Sequence, residues 1–214
     1  IHWMLLCGIL LVHGGANALW VSGDQTMRGF DEPHHVVSAA HALNMVSAHG
    51  VKGVWEATRG RRAGQWPSAG YVPWVPLGLA FGSSLGALRL FNMAYMAALL
   101  LSLFVMGRRL HSPAAGLLAG AVCSFYPAIF GASRHFNQDL PYVAVVAMSV
   151  ALLLASRRFS HSRYSLALGL GVGFAVLVRP HSAILLGVPG LSWVLVSLVW
   201  PRGPRWRTLV NMAL

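Results

Sequence analysis

Apolar residues run along this chain in blocks as long as a membrane-crossing helix, not in the short stripes of a soluble fold. Such a helix needs about 20 apolar residues. The first run is Trp3 to Val21. A polar stretch over 22–72 follows, then a short apolar approach from Pro73 to Phe81. Further runs are Ala87–Gly107, Pro113–Gly131, Pro141–Ser156, Ser165–Val178 and Ala183–Trp200, and a seventh begins near Thr208. The pattern predicts an all-α, polytopic transmembrane helix bundle with an extracytoplasmic loop, 22–72, carrying juxtamembrane amphipathic helices. Ala16-Asn17-Ala18 has the form of a signal-peptidase site, but no basic segment precedes it and more runs follow.

Within the loop, Asp31-Glu32-Pro33-His34-His35 opens a helix that reaches about His49. Val36, Ala40 and Leu43 repeat at helical spacing and predict an apolar face. Pro33 suits a first helical turn, and the residue ahead of a proline is pushed to an extended backbone. Glu32 is therefore the expected N-cap, with Asp31 one residue outside and able to point at a ligand.

Composition sharpens this picture. Of 214 residues, 56% are hydrophobic and only 10% charged, where soluble domains carry about 25% charged. Mean hydropathy is +0.61. An ordinary soluble domain and a disordered chain are both excluded. Sixteen Lys and Arg against five Asp and Glu give a net charge of +11. In a soluble protein this would suggest nucleic acid. Here the basic residues punctuate apolar runs, so no nucleic-acid partner is expected. Arg108 and Arg109 form one cluster, Arg157, Arg158 and Arg163 the next, and Arg202, Arg205 and Arg207 a third, each two runs from the last. The positive-inside rule makes these turns cytoplasmic and puts 22–72, Ser133–Asp139 and Arg179–Ser182 outside. The basic residues Arg28, Lys52, Arg59, Arg61 and Arg62 do not oppose this, because long loops cross largely regardless of charge. Ile1 opens the chain without Met and Leu214 falls inside an apolar stretch, so 1–214 is read as a single N-terminal transmembrane catalytic module of a longer protein. Cys7 and Cys123 lie in apolar runs and carry no assigned role.

The acids are Asp24, Asp31, Glu32, Glu56 and Asp139. Four lie in the first outward loop and the fifth at the outer end of the fourth run. None sits mid-span, where ion-coupled transporters place an ionisable group. Their gathering at one boundary suits an enzyme acting on a lipid-linked substrate. His34, His35, His41 and His49 have no HExxH-like pattern, so no metal site is assigned to them. Gly169, Gly171 and Gly173 lie within a run and predict close helix packing. Arg89 is expected to snorkel or to pair within the bundle. The run Ser165–Val178 is 14 residues, or about 21 Å, which is short for a span. If its helix ends at Pro180, Arg179 lies below the outer surface and needs an anionic partner: a lipid phosphate, or an outer acid when the site is empty.

Read in order, these segments resemble the C-type, multi-span glycosyltransferases: the protein O-mannosyltransferases, the lipid A aminoarabinose transferase and the bacterial family 39 enzymes. The segments are Phe30-Asp31-Glu32-Pro33-His34-His35 with Gly50 closing the helix; Gln65-Trp66-Pro67 through Tyr71-Val72-Pro73-Trp74-Val75-Pro76-Leu77; and Ala80-Phe81-Gly82 through Leu88-Arg89-Leu90. Then come Gly107-Arg108-Arg109-Leu110, Pro127 through Ser133-Arg134 to Asp139, and Gly169-Leu170-Gly171 through Val178-Arg179-Pro180. Two positions depart from the family pattern: Pro33-His34-His35 replaces an aromatic after Asp-Glu, and Val75-Pro76-Leu77 replaces Pro-Pro-Leu.

The resemblance implies transfer of a hexosyl or pentosyl unit from a polyprenyl-phosphate donor, with inversion. The acceptor would be a lipid, glycan or protein outside the cytoplasm. It implies an integral protein of a bacterial inner membrane with its site facing the periplasm. Asp31 takes the position of the general base, with Glu32 beside it and Asp139 as a second site acid. Arg134 and Arg179 become phosphate contacts and His35 a substrate contact. No nucleotide is bound. Some members use a divalent cation and others do not, so a cation stays open. A non-catalytic transporter or flippase of the same lipid would share the spans, and a polysaccharide polymerase or ligase would differ in span count. A scaffold protein would have no use for acids gathered at one boundary.

Overall fold

The apolar runs are helical where they are described, apart from a break at Tyr126, and serine, glycine and proline set the ends. The computed structural model describes residues 1–27, 29, 31–59, 68–199 and 210–212. Its helices are α1 (His2–Gly23), α2 (Glu32–His49), α3 (Val51–Arg59), a 3-10 segment (Ser68–Trp74), α4 (Val75–Phe81), α5 (Leu85–Leu110), α6 (Pro113–Phe125), α7 (Pro127–Ala132), α8 (Asp139–Ala155), α9 (Ser162–Val178) and α10 (Ser182–Val199). No strand occurs among the described residues. The protein is an all-α, polytopic membrane protein. α1, α5 and α10 are long and apolar enough to cross a membrane, while α6, α8 and α9 are shorter apolar helices. Arg28, Phe30, Arg61, Arg62, the Gln65-Trp66-Pro67 segment, the Arg202–Arg207 cluster and the start of the seventh run lie outside the described residues.

Local chemistry explains the boundaries. Ser84 caps α5 by accepting from the Ala87 N–H at 3.2 Å, and Ser112 caps α6 from Ala115 at 3.1 Å. Gly50 ends α2 at φ +57, donating its N–H to Val46 O at 2.8 Å. The run Pro113–Gly131 is not one helix, as its apolarity suggested. Pro127 brings no N–H and pushes Tyr126 to an extended backbone (φ −62, ψ 129), so the run splits into α6 and α7. α9 starts earlier than its apolar run, at Ser162, and its 17 residues span about 25 Å.

α5 is the central helix and packs on α1, α6 and α8; α8 packs on α9, and α9 on α10. Tyr95, Met96, Leu99, Leu100 and Phe104 of α5 meet Leu140, Ala144 and Val145 of α8 in the main core. Lipid tails are as apolar as these side chains, so close van der Waals fit holds such helices together. The fit is close between α5 and α6: a Cβ on Gly107 would lie 2.3 Å from Gly116 Cα, and one on Gly116 would lie 2.4 Å from Phe104 O. Of the α9 glycines expected to pack, Gly171 meets α8, its Cβ position 3.1 Å from Ser149 Oγ, whereas Gly173 faces open space.

A second core, built on Ala39, Ala42, Tyr71, Trp74, Leu88 and Phe136, seats α2 and the 3-10 segment on one end of the bundle. The buried stripe of α2 is Glu32, His35, Ser38, Ala39 and Ala42. Val36, Ala40 and Leu43, the expected apolar face, are only half-buried. The helix is rotated so that Glu32 points inward. The helix directions put the start of α5, the start of α8 and the end of α9 at this end. The turns around Arg108–Arg109 and Arg157–Arg163 stand at the other.

The α5–α6 contact gives a stability test. Gly116→Val forces a side chain onto the α5 backbone and is expected to cost about 3 kcal/mol. Gly173→Ala, into open space, is expected to be near neutral. Thermal unfolding in detergent reads both, and equal midpoints would contradict the packing.

Candidate functional site

The acid end is organised by one buried ion pair. Arg89, on the second turn of α5, is 1% exposed, and Glu32 is 2% exposed. Arg89 Nε donates to Glu32 Oε1 at 2.9 Å and Nη2 to Oε2 at 2.7 Å, a bidentate pair. Nη1 donates to Asp24 O at 2.8 Å and Nη2 also to Thr26 O at 2.7 Å. Glu32 Oε1 accepts the Phe136 N–H at 2.8 Å. Burying two charges costs several kcal/mol each unless such bonds replace water. Here they tie together the α1–α2 connection, α2, α5 and the segment ahead of α8. Asn92, one turn along α5, adds Nδ2 bonds to His135 O at 2.6 Å and Ala132 O at 3.4 Å.

This corrects the expected cap. Glu32 is the first residue of α2, and Asp31 occupies the N-cap with helical torsions (φ −89, ψ −29) and no side-chain capping bond. The carboxylate of Glu32 turns inward because Arg89 has no other acid to meet there. Two other acids are also engaged. Asp24 Oδ1 accepts from Thr26 N at 3.0 Å and Thr26 Oγ1 at 2.6 Å. Glu56 lies 3.0 Å from His49 Nδ1 and 3.7 Å from Lys52 Nζ. Asp31 and Asp139 are exposed.

Asp139 opens α8 with a side chain 57% exposed, and it pairs with Arg179. Asn137 holds the same acid, its Nδ2 donating to Oδ2 at 3.3 Å. Arg179 is the C-cap of α9, which stops ahead of Pro180 as expected, and it is 20% exposed. Its guanidinium lies 5.2 Å from the Tyr142 ring centroid, and His181 packs against the same ring at 5.2 Å. The anionic partner expected for Arg179 is thus Asp139.

His35 lies one turn after Asp31. It is buried, and its Nδ1 shares a hydrogen bond with the Tyr71 hydroxyl. Burial pushes the His35 imidazole below its ordinary pKa; the charges of Asp31 and Asp139 oppose this, while Arg179 and His34 reinforce it. The Tyr71 phenol is pushed well up by burial, against a hydrogen bond with Gln138 and the charge of Arg179. A neutral imidazole–phenol pair therefore lies buried within electrostatic reach of Asp31, Asp139 and Arg179. Arg134 is placed differently. Its guanidinium lies 4.0 Å from the Phe130 ring centroid and 5.0 Å from that of Trp20, so it joins α7 to α1. Among the described residues, no group of three or more His, Cys, Asp or Glu could hold a metal ion.

Tyr71 and Gln138 join the site with no sequence signal of their own, although Tyr71 stands in the aromatic approach to α4. Although no acid sits mid-span, an ionisable imidazole does. His13, midway along α1, is fully buried between the rings of Phe125 and Phe130 at 4.9 and 5.6 Å. Asn17 Nδ2 donates to His13 O at 2.9 Å and to Ser133 Oγ at 3.3 Å. Two polar residues spaced i, i+4 in an apolar run were the available signal.

The profile of the dolichyl-phosphate-mannose-protein mannosyltransferase family matches residues 67–211. The chain belongs to this family and is a membrane glycosyltransferase of the C-type. The match includes Arg89, Arg134, Asp139 and Arg179, while Asp31 and Glu32 lie ahead of it. No curated protein and no solved structure matches the chain significantly.

Two measurements test this geometry. Glu32→Gln strands the Arg89 charge in the bundle and is expected to cost about 3–5 kcal/mol of stability. An unchanged unfolding midpoint would contradict the buried pair. For His35, the folded imidazole resists protonation, whereas the unfolded one takes up a proton near roughly pH 6.5. Its contribution is therefore present above that pH and is lost as pH falls from there toward the lower folded value. His35→Gln is expected to flatten this acid-side loss in a pH series of unfolding midpoints. An identical slope in both proteins would contradict the assignment.

Proposed function

We propose that the protein moves a sugar from a polyprenyl-phosphate donor to an acceptor hydroxyl outside the cytoplasm, with inversion at the sugar carbon. The observation that carries this reading is the pairing of exposed Asp139 with Arg179, with exposed Asp31 at the same end of the bundle, in a chain of a glycosyltransferase family. The basic turns at the opposite end favour an orientation with this site outward.

Asp31 accepts the proton of the acceptor hydroxyl as its oxygen attacks the sugar carbon. The bond from that carbon to the phosphate oxygen breaks, and its electron pair leaves on the polyprenyl phosphate. Arg179 stabilises the growing negative charge, having been held by Asp139 before the donor arrives. Glu32, through Arg89, positions the start of α2 and hence Asp31. His35 and Tyr71 set the floor against which the sugar lies. Arg134 is engaged with aromatic rings and is not assigned to the phosphate.

A cavity of about 290 Å³ supports a lipid-linked donor. It is lined by Pro73, Phe91, Tyr95, Val145, Met148 and Phe174, between α5, α8 and α9. Tyr95 at its rim donates to Gly70 O at 3.2 Å, next to Tyr71. An isoprenoid chain lying there would put its phosphate near Tyr71 and Arg179.

The test is transfer from a synthetic polyprenyl-phosphate sugar by full-length protein in detergent, with donor binding measured in parallel. Asp31→Asn is expected to lower turnover about a hundredfold or more while donor affinity survives. Arg179→Gln is expected to weaken donor binding far more than it lowers stability. Near-normal turnover in Asp31→Asn with abolition in Asp139→Asn would make Asp139 the base. Donor movement without transfer by the wild type would favour a carrier of the same lipid.

A further inference from the structure

The end of the bundle opposite the acids holds a feature that sugar transfer does not use. Between α8 and α9 the chain passes through three successive left-handed residues, Arg157, Arg158 and Phe159, at φ +49, +58 and +58. This conformation is unfavourable for residues with a Cβ, so surrounding contacts must hold it. Phe159 is buried, its N–H donates to Ser156 Oγ at 3.2 Å, and Asn211 Nδ2 donates to its carbonyl at 2.6 Å. The five residues that follow, Ser160–Tyr164, line an open cavity of about 590 Å³. Arg163 is an exposed part of its wall. Arg109, from the last turn of α5, reaches its rim with the guanidinium 5.9 Å from the Tyr164 ring centroid.

Among the described residues, no carboxylate stands at this end. Asp24, Asp31, Glu32 and Asp139 are at the other end, and Glu56 is on α3. Arg109 and Arg163 therefore have no carboxylate to pair with among the described residues. Guanidinium groups match phosphate oxygens bidentately, and basic pockets between helix ends at the headgroup level bind anionic lipids. Leu110, next to Arg109 in the chain, and Leu166, two residues past Tyr164, are exposed and offer acyl chains a surface that a free anion would not need.

We propose that the cavity at Ser160–Tyr164, with Arg109 and Arg163, binds the phosphate headgroup of an anionic bilayer lipid. The exposed ring of Tyr164, with the Arg109 guanidinium over it, is of the amphipathic aromatic type that settles at headgroup level. The lipid is a structural partner of the α5–α9 end, separate from the donor lipid.

The test titrates full-length protein in neutral detergent with phosphatidylglycerol, phosphatidylcholine or inorganic phosphate, reading bound lipid by native mass spectrometry and the thermal midpoint in parallel. Phosphatidylglycerol is expected to bind and raise the midpoint, and phosphatidylcholine and phosphate are not. Arg109→Gln and Arg163→Gln are each expected to weaken its apparent affinity about fivefold, from roughly 1 kcal/mol per arginine near the surface. The corresponding Lys variants keep most of the affinity and separate charge loss from misfolding. Asp31→Asn binds the lipid as the wild type does, so this result is independent of the transferase reading. Equal binding of phosphatidylcholine, or undiminished phosphatidylglycerol binding by the double Gln variant, would overturn the proposal. A midpoint shift from inorganic phosphate matching that from phosphatidylglycerol would overturn its lipid source.

Discussion

Arg89 and Glu32 stand 57 residues apart and meet with almost no exposure to solvent, and the rest of the acid end is arranged around that meeting. An arginine near the end of a central helix must find an anion or reach water. Here α2 lies across the way to water, so Arg89 takes its anion from α2 itself. The carbonyls of Asp24 and Thr26 and the N–H of Phe136 complete the cage. A bond to each strand of the surrounding chain makes the pair tolerable and also makes it a clamp. Phe136 passes the constraint on: its backbone holds Glu32 while its ring lies 5.8 Å from that of Tyr71.

The clamp divides the acids by role. With Glu32 committed inward, Asp24 in a turn and Glu56 with His49 and Lys52, Asp31 and Asp139 are the acids with exposed carboxylates, the latter paired with Arg179. They rest on different elements, the N-cap of α2 and the first residue of α8. Arg179 approaches from a third, the end of α9. The proposed transfer needs Asp31 and Arg179 at a spacing that does not drift. Helix ends anchored to a common clamp supply that better than a free loop.

Much of the architecture was legible because bilayer thickness and helical rise fix span lengths. The runs at 3–21, 87–107, 141–156 and 183–200 differ from helices by only a few residues at each end. The end of α9 before Pro180 and the need of Arg179 for an anion were also readable. The break at Pro127 was not, because the apolar pattern continues across it while the backbone does not. The inward turn of Glu32 was hidden for another reason. Cap preferences are local, and the partner that overrules them lies on another helix. Tyr71 and Gln138 carry no signature of their own and enter the site only because the fold brings Tyr71 to His35 and to Gln138. His13 was missed because a single imidazole in an apolar run scarcely changes its hydropathy.

The most direct test of the clamp is a double-mutant cycle on Glu32→Gln and Arg89→Met in full-length protein, read by unfolding and by sugar transfer together. If the pair anchors the site, the coupling energy is about 2 kcal/mol or more, and the double variant recovers stability without recovering turnover. Additive effects on stability, or normal turnover in either single variant, would contradict it.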